Sequence, residues 1–101
     1  MIEIRETDIY HEWFESLKDK RAKARIDVRI RRVSLGNFGD VGPVGKGVSE
    51  LRIDYGPGYR VYFTHHGDIL VILLCGGEKS TQDKDIQRAH ELAQALRRNR
   101  K

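Results

Sequence analysis

One cysteine, two prolines, one tryptophan and no apolar run longer than seven residues define what this 101-residue sequence is not. The lone Cys75 admits neither an intrachain disulfide nor a CxxC redox pair. It ends an apolar segment and reads as a buried, inert thiol. The longest apolar run, Ile69 to Cys75, has seven residues, whereas a bilayer span takes about 20. Glu3, Arg5, Glu6 and Asp8 interrupt any signal-peptide core. The expectation is therefore a cytoplasmic protein with no membrane partner. The four histidines, His11, His65, His66 and His90, form no HExxH or Cys/His constellation, so no metal site is expected. A GxSxG elbow, a dinucleotide fingerprint and a carboxylate pair for glycoside chemistry are missing too, and no cofactor is expected.

What the chain has in excess is positive charge. There are 19 Lys plus Arg against 15 Asp plus Glu, a net charge of +4. The distribution is more informative than the sum. From Lys18 to Arg32 there are eight basic residues and two acids, Asp19 and Asp27, and a second basic cluster, Arg97, Arg98, Arg100 and Lys101, closes the chain. Such a surface favours a polyanion, RNA above all. Lys20, Arg21, Lys23 and Arg25 are candidate RNA contacts on this count.

The apolar pattern predicts one domain over residues 1–101. Ile2 and Ile4 alternate with Glu3 and Arg5, a short strand. Asp8 is placed to cap a helix whose stripe is Ile9, Trp13, Phe14 and Leu17, with Trp13 as a core residue. Lys20 to Val33 fits both periods. It alternates as Ala24, Ile26, Val28 and Ile30, yet Ala22, Ile26, Ile30 and Val33 also share a helical face. Fourteen residues without Gly, Pro or Asn, rich in Arg, Lys and Ala, decide for helix. Leu35 to Gly47 carries five of ten glycines and Pro43, and reads as a long functional loop. It has no GKS or GKT ending and no preceding strand, which excludes a P-loop.

Three strands follow, Val48 to Asp54, Tyr59 to His65 and Ile69 to Cys75, the last expected to be the most buried. Gly76 and Gly77 end the sheet, and Ser80, with Asp83 three residues on, is placed to cap a final helix burying Ile86, Ala89, Leu92, Ala93 and Leu96. The fold class is α+β in the order β-α-α-β-β-β-α. It has a small, mainly antiparallel sheet, two N-terminal helices packed on one face and a C-terminal helix.

Hairpin register then selects candidate site residues. The apolar sets Leu51, Ile53, Tyr55 and Tyr59, Val61, Phe63 share a face only if the connecting loop is odd, most simply Gly56-Pro57-Gly58, with Gly58 at positive φ. That register places Arg52, Arg60 and Tyr62 together on the other face, bordered by Lys46 and Lys79. Arg contacts two phosphate oxygens at once, and a Lys among cations serves as acid or base. Such groups support metal-free RNA cleavage, in which a ribose 2′-hydroxyl attacks its own phosphate; on spacing alone, ordinary solvated strand residues are the alternative.

Two segments and the order of elements carry a family resemblance: GVSELRIDYGPGYRVYF over Gly47 to Phe63 and GGEKSTQDKDI over Gly76 to Ile86. The chain resembles the RelE/ParE superfamily of toxin–antitoxin toxins, and within it the HigB-like, phage-derived addiction module killer proteins. The similarity runs over nearly the whole chain and implies a RelE/ParE-like fold. It implies the toxin of a type II module, an RNA endonuclease that cuts mRNA in the ribosomal A site without a metal and so inhibits translation. The implied partners are a cognate helix-turn-helix antitoxin, mRNA on the ribosome, and operator DNA reached only through the antitoxin. By position, Arg52 of E-L-R matches the family's phosphate-binding arginine, and Lys79 falls where relatives place a basic catalytic residue. Arg60 of G-Y-R matches a recurrent arginine, and Lys46 falls where ribosomal RNA or message contacts are expected; Tyr62, from the hairpin register, is a further candidate RNA contact. The chain has no counterpart of the C-terminal tyrosine or histidine that some relatives use as a base. Two alternatives stay open: a ParE-like gyrase poison of the same fold, and a plain nucleic-acid-binding module.

Overall fold

The computed structural model describes residues 1–99, so Arg100 and Lys101 of the basic tail lie outside the described residues. The order is β1 (Glu3–Glu6), α1 (Asp8–Ser16), α2 (Lys20–Ser34), β2 (Val41–Gly45), β3 (Val48–Ile53), β4 (Tyr59–His66), β5 (Leu70–Glu78), a 3-10 turn (Lys79–Thr81) and α3 (Gln82–Arg98). The five strands form one sheet in the order β1-β5-β4-β3-β2. β1 runs parallel to β5 and every other pair is antiparallel. This is the expected α+β architecture with one strand added.

Both faces of the sheet are covered. Leu51, Ile53, Tyr59, Val61, Phe63, Val71 and Leu73 pack with Tyr10, Ala22, Ile26 and Val33 of α1 and α2. On the other side Val48, Tyr62, Leu74 and Cys75 pack with Ala89 and Ala93 of α3. Leu74 and Cys75 are consecutive yet sit in the same cluster, because a bulge between the pairs Tyr62–Cys75 and Phe63–Leu73 gives β5 an extra residue. Burial first, and Asp85 second, push the Cys75 thiol up to about 12 against an opposing effect of Arg88, so it carries no thiolate at neutral pH.

The strand missing from the sequence reading is β2. The segment Val41-Gly42-Pro43-Val44-Gly45 has the composition of a loop, but it lies at the sheet edge, where Pro43 needs no ladder partner for a missing N–H. Val41 joins the α2-side core and Val44 the α3-side core, as residues three apart on a strand face opposite sides, and the register shifts between Pro43 and Gly45. β2 turns into β3 at Lys46 and Gly47, whose φ values of +54° and +76° are those of a two-residue type I′ turn.

Three boundary readings are corrected. Thr7, not Asp8, caps α1: its Oγ1 accepts from Tyr10 N at 3.0 Å and donates to the Leu74 carbonyl at 2.6 Å, tying the helix to the sheet. Ser80 does not cap the last helix, since Lys79–Thr81 form a 3-10 turn and α3 starts at Gln82. Gly76 and Gly77 do not end the sheet but lie inside β5, which begins at Leu70, leaving Ile69 75% exposed.

The α2 cap supplies a pH-dependent prediction. Asp19 accepts from Arg21 N at 2.9 Å, Ala22 N at 3.2 Å and the Tyr55 hydroxyl at 2.8 Å. The Tyr55 bond above all favours the ionised carboxylate and lowers its pKa below the ordinary 3.8. A depressed folded-state pKa gives stability that is complete above the unfolded value and lost as pH falls through the folded one. Asp19→Ala is expected to lower Tm at neutral pH, with the deficit narrowing once pH drops below about 4. Thermal melts of both proteins against pH check this. A deficit independent of pH would assign the effect to helix propensity instead.

Candidate functional site

The hairpin of β3 and β4 sets the site. Arg52 pairs directly with Arg60, Glu50 with Tyr62 and Ile53 with Tyr59. The loop is thus Asp54–Gly58, five residues where three were expected, and still odd. A two-residue offset returns every side chain to the same face, so Arg52, Arg60 and Tyr62 share one face as predicted. Gly58 has a φ of +79°, the left-handed conformation that glycine adopts at no steric cost.

Two like charges opposite each other repel, and the structure resolves this with Glu50. Its side chain is 4% exposed. Oε2 accepts from Arg52 Nε at 3.0 Å, Oε1 accepts from Gln82 Nε2 at 2.8 Å, and Arg60 Nε lies 3.7 Å from Oε1. Arg52 Nη1 donates to Asp40 Oδ1 at 2.8 Å. Two of the three guanidinium nitrogens are thereby committed, and Nη2 is engaged by no described residue. The hydrogen bonds it donates to Asp40 and then to Glu50 raise the Arg52 pKa, so it is cationic at every working pH. Gly42 on β2 lets the guanidinium through, because a Cβ there would lie 2.5 Å from Nη2.

Arg60 is more enclosed, with a 12% exposed side chain. Its Nη1 donates weakly to the Gly58 and Tyr59 carbonyls at 3.4 and 3.5 Å. Lys79 joins from the end of β5: its backbone N donates to Gly58 O at 2.9 Å. A Cβ on Gly58 would be 3.3 Å from Lys79 Cβ and 3.6 Å from Arg60 Nη1, so the two cations flank one glycine. The Lys79 side chain is exposed.

Other predicted site residues lie elsewhere. Tyr62 is fully buried under α3, and its hydroxyl has no partner among the described residues. Burial raises its pKa, so it is a neutral core residue with no ring surface for a nucleotide. Lys46 is exposed at the far end of β3 from Lys79, where its carbonyl accepts from Arg97 Nη2. Lys20, Arg21, Lys23 and Arg25 are on α2, which packs on the opposite face of the sheet. His90 is held at the β2 strand by a 2.9 Å contact of Nε2 with the Val44 carbonyl. Arg29, not singled out from sequence, reaches from α2 to the carbonyls of Phe38, Asp40 and Arg52, and so fixes the segment that carries Asp40. Among the described residues no group of His, Cys, Asp and Glu is arranged to hold a metal. No described helix is long and apolar enough to cross a membrane.

Residues 12–100 match the phage-derived Gp49-like protein family (DUF891). The chain belongs to this family. It is a RelE/ParE-like family of toxin–antitoxin toxins, and the Gp49-like chain has the expected arrangement of sheet and helices. An uncharacterized protein of Haemophilus influenzae is 56% identical over 95 residues, covering 94% of this chain and 96% of its own. The Gp49-like match begins within α1 and includes Glu50, Arg52, Arg60 and Lys79.

Proposed function

We propose that this Gp49-like chain is the toxin of a type II module of HigB-like character, and that it cleaves mRNA on the ribosome without a metal. The observation that carries the reading is the cluster of Arg52, Arg60 and Lys79, with Glu50 fixing the two guanidiniums. In this reaction the 2′-oxygen bonds to phosphorus, the bond from phosphorus to the 5′-oxygen breaks, and charge accumulates on the non-bridging oxygens. Arg52 Nη2, which makes no hydrogen bond to any described residue, receives one of these oxygens, and preorganised donors of this kind are worth about 10²–10³ in rate each. Lys79, exposed and beside Arg60, is placed to give the proton that the 5′-oxygen gains. Of the two carboxylates on Arg52, Asp40 is the open one, 60% exposed, and in this reading it takes the 2′-hydroxyl proton. Lys46 contacts the message or ribosomal RNA beyond this cluster. A helix-turn-helix antitoxin holds the toxin inactive and brings it to operator DNA.

The test is induction in cells with RNA 5′ ends mapped, comparing wild type with Arg52→Ala and Lys79→Ala. New ends within messages are expected for the wild type, with about a hundredfold slower appearance for Arg52→Ala. Unchanged toxicity in both variants would remove the site. Growth arrest without new ends, together with trapped cleaved DNA in a supercoiling assay, would replace the nuclease by a gyrase poison.

A further inference from the structure

A second cationic surface lies across the sheet from Arg52, and different residues build it. Arg21, Arg25, Arg29 and Arg32 recur on α2 at intervals that keep them on one side of the helix. With Ala24 and Val28 between them, and Ile53 and Asp54 from the end of β3, they line an open groove of about 640 Å³. Arg29 is used by the fold, since its guanidinium donates to three backbone carbonyls. Arg25 lies over the Tyr55 ring, 4.8 Å from its centroid, which fixes its direction without neutralising it. Among the described residues no carboxylate lies within ion-pair distance of Arg21, Arg25 or Arg32, and Asp54 is the one acid in the lining. The groove thus offers three guanidiniums that folding does not consume.

The floor discriminates between polyanions. Val28 is 48% exposed between the arginines, and Leu35, seven residues on at the end of α2, is 63% exposed. A phosphodiester backbone would satisfy the guanidiniums but leave this aliphatic strip facing water. A protein segment with carboxylates flanking an aliphatic side chain satisfies both, since apolar burial adds to charge pairing. We infer that the α2 groove docks an acidic, amphipathic protein segment. An aliphatic side chain of that segment seats on Ala24, Val28 and Ile53, and its carboxylates pair with Arg21, Arg25 and Arg32. The groove requires nothing of the nuclease reading, because none of its free cations belongs to the Arg52 cluster.

Three probes test it by fluorescence anisotropy: a labelled helical peptide with a leucine stripe flanked by glutamates, the same peptide with serine for leucine, and single-stranded oligouridylate. The leucine peptide is expected to bind the wild type more tightly than the serine peptide. It should lose about tenfold or more in affinity, roughly 1.4 kcal/mol, on Val28→Asp and on the double change Arg25→Glu, Arg32→Glu. These positions are exposed, and unchanged circular dichroism certifies the fold. Oligouridylate affinity should not change on Val28→Asp. Equal binding of the two peptides, no binding of the leucine peptide, or loss of oligouridylate but not peptide affinity in the variants would overturn the inference. RNA cleavage is not read in this assay, so failure here leaves the Arg52 site untouched, and failure of that site leaves the groove.

Discussion

Glu50→Ala should lower the unfolding free energy by about 3–5 kcal/mol, the range for removing one partner from a buried ion pair. The size follows from what is left behind. Arg52 retains Asp40 and is 36% exposed, so water replaces much of what it loses. Arg60 is only 12% exposed and its Nε makes no hydrogen bond, so its one carboxylate is Glu50 at the ion-pair separation of 3.7 Å, while Gln82 loses the oxygen its amide reaches. Most of the loss therefore comes from stranding a nearly buried guanidinium, not from the attraction itself. A double-mutant cycle with Arg60→Met separates the two, because Glu50→Ala should cost far less once the cation is gone. Glu50→Gln keeps the shape and one acceptor, and should fall between. Urea denaturation reads all five proteins, and a Glu50→Ala loss below about 1 kcal/mol would show that the pair is not desolvated. Arg52→Ala gives the contrast, with activity lost at little cost in stability. A variant set that separated stability from activity in this way would distinguish the residue that holds the site from the one proposed to meet phosphate.

Most of this site was legible from two strands and the turn between them. Parity of the loop, not its length, decides which side chains share a face, so Arg52 and Arg60 were correctly united although the register was two residues off. Glu50 was overlooked because the reading counted cations. The signal was present in E-L-R: positions two apart on a strand share a face, and two arginines facing each other require a carboxylate between them. Asp40 escaped for another reason. It comes from the segment before β2, and nothing local in Val41 to Gly45 announces an edge strand, whose one proline and two glycines normally argue against pairing. Tyr62 was misplaced by treating its face as solvent. The apolar stripe of α3 needs a surface to bury, and α1 and α2 already occupy the other side of the sheet. That argument places Tyr62 beneath α3 and leaves the hairpin end, with Arg52, Arg60 and Lys79, as the candidate site on that face. The α2 arginines were visible as charge, but only the packing of Ile26 and Val33 inward turned Val28 and its arginine neighbours outward.

Gly76→Ala is expected to destabilise at the upper end of about 1–3 kcal/mol or beyond, the cost of overpacking a filled core. The Trp13 ring lies over this position, and an added Cβ would meet three ring atoms at 2.3–2.5 Å. The ring cannot simply turn away, since Tyr10 and Tyr59 flank it at centroid separations of 5.7 and 6.3 Å. Relief requires α1 itself to shift, against the Thr7 bond that ties it to β5. Gly77 shows why distance alone does not rank such sites. A Cβ there would come closer still, 1.8 Å from Asp85 Oδ2, but that atom ends a flexible side chain on the half-open α3 surface. Asp85 can swing aside at the expense of its bond from Thr81, so Gly77→Ala should be the milder change. The decisive measurement is coupling to Trp13. Trp13→Ala alone leaves a cavity, whereas in the Gly76→Ala background it also removes the clash, so the two losses should fall short of their sum by more than about 0.5 kcal/mol. Strict additivity in chemical denaturation would mean that the ring and the glycine do not share that space.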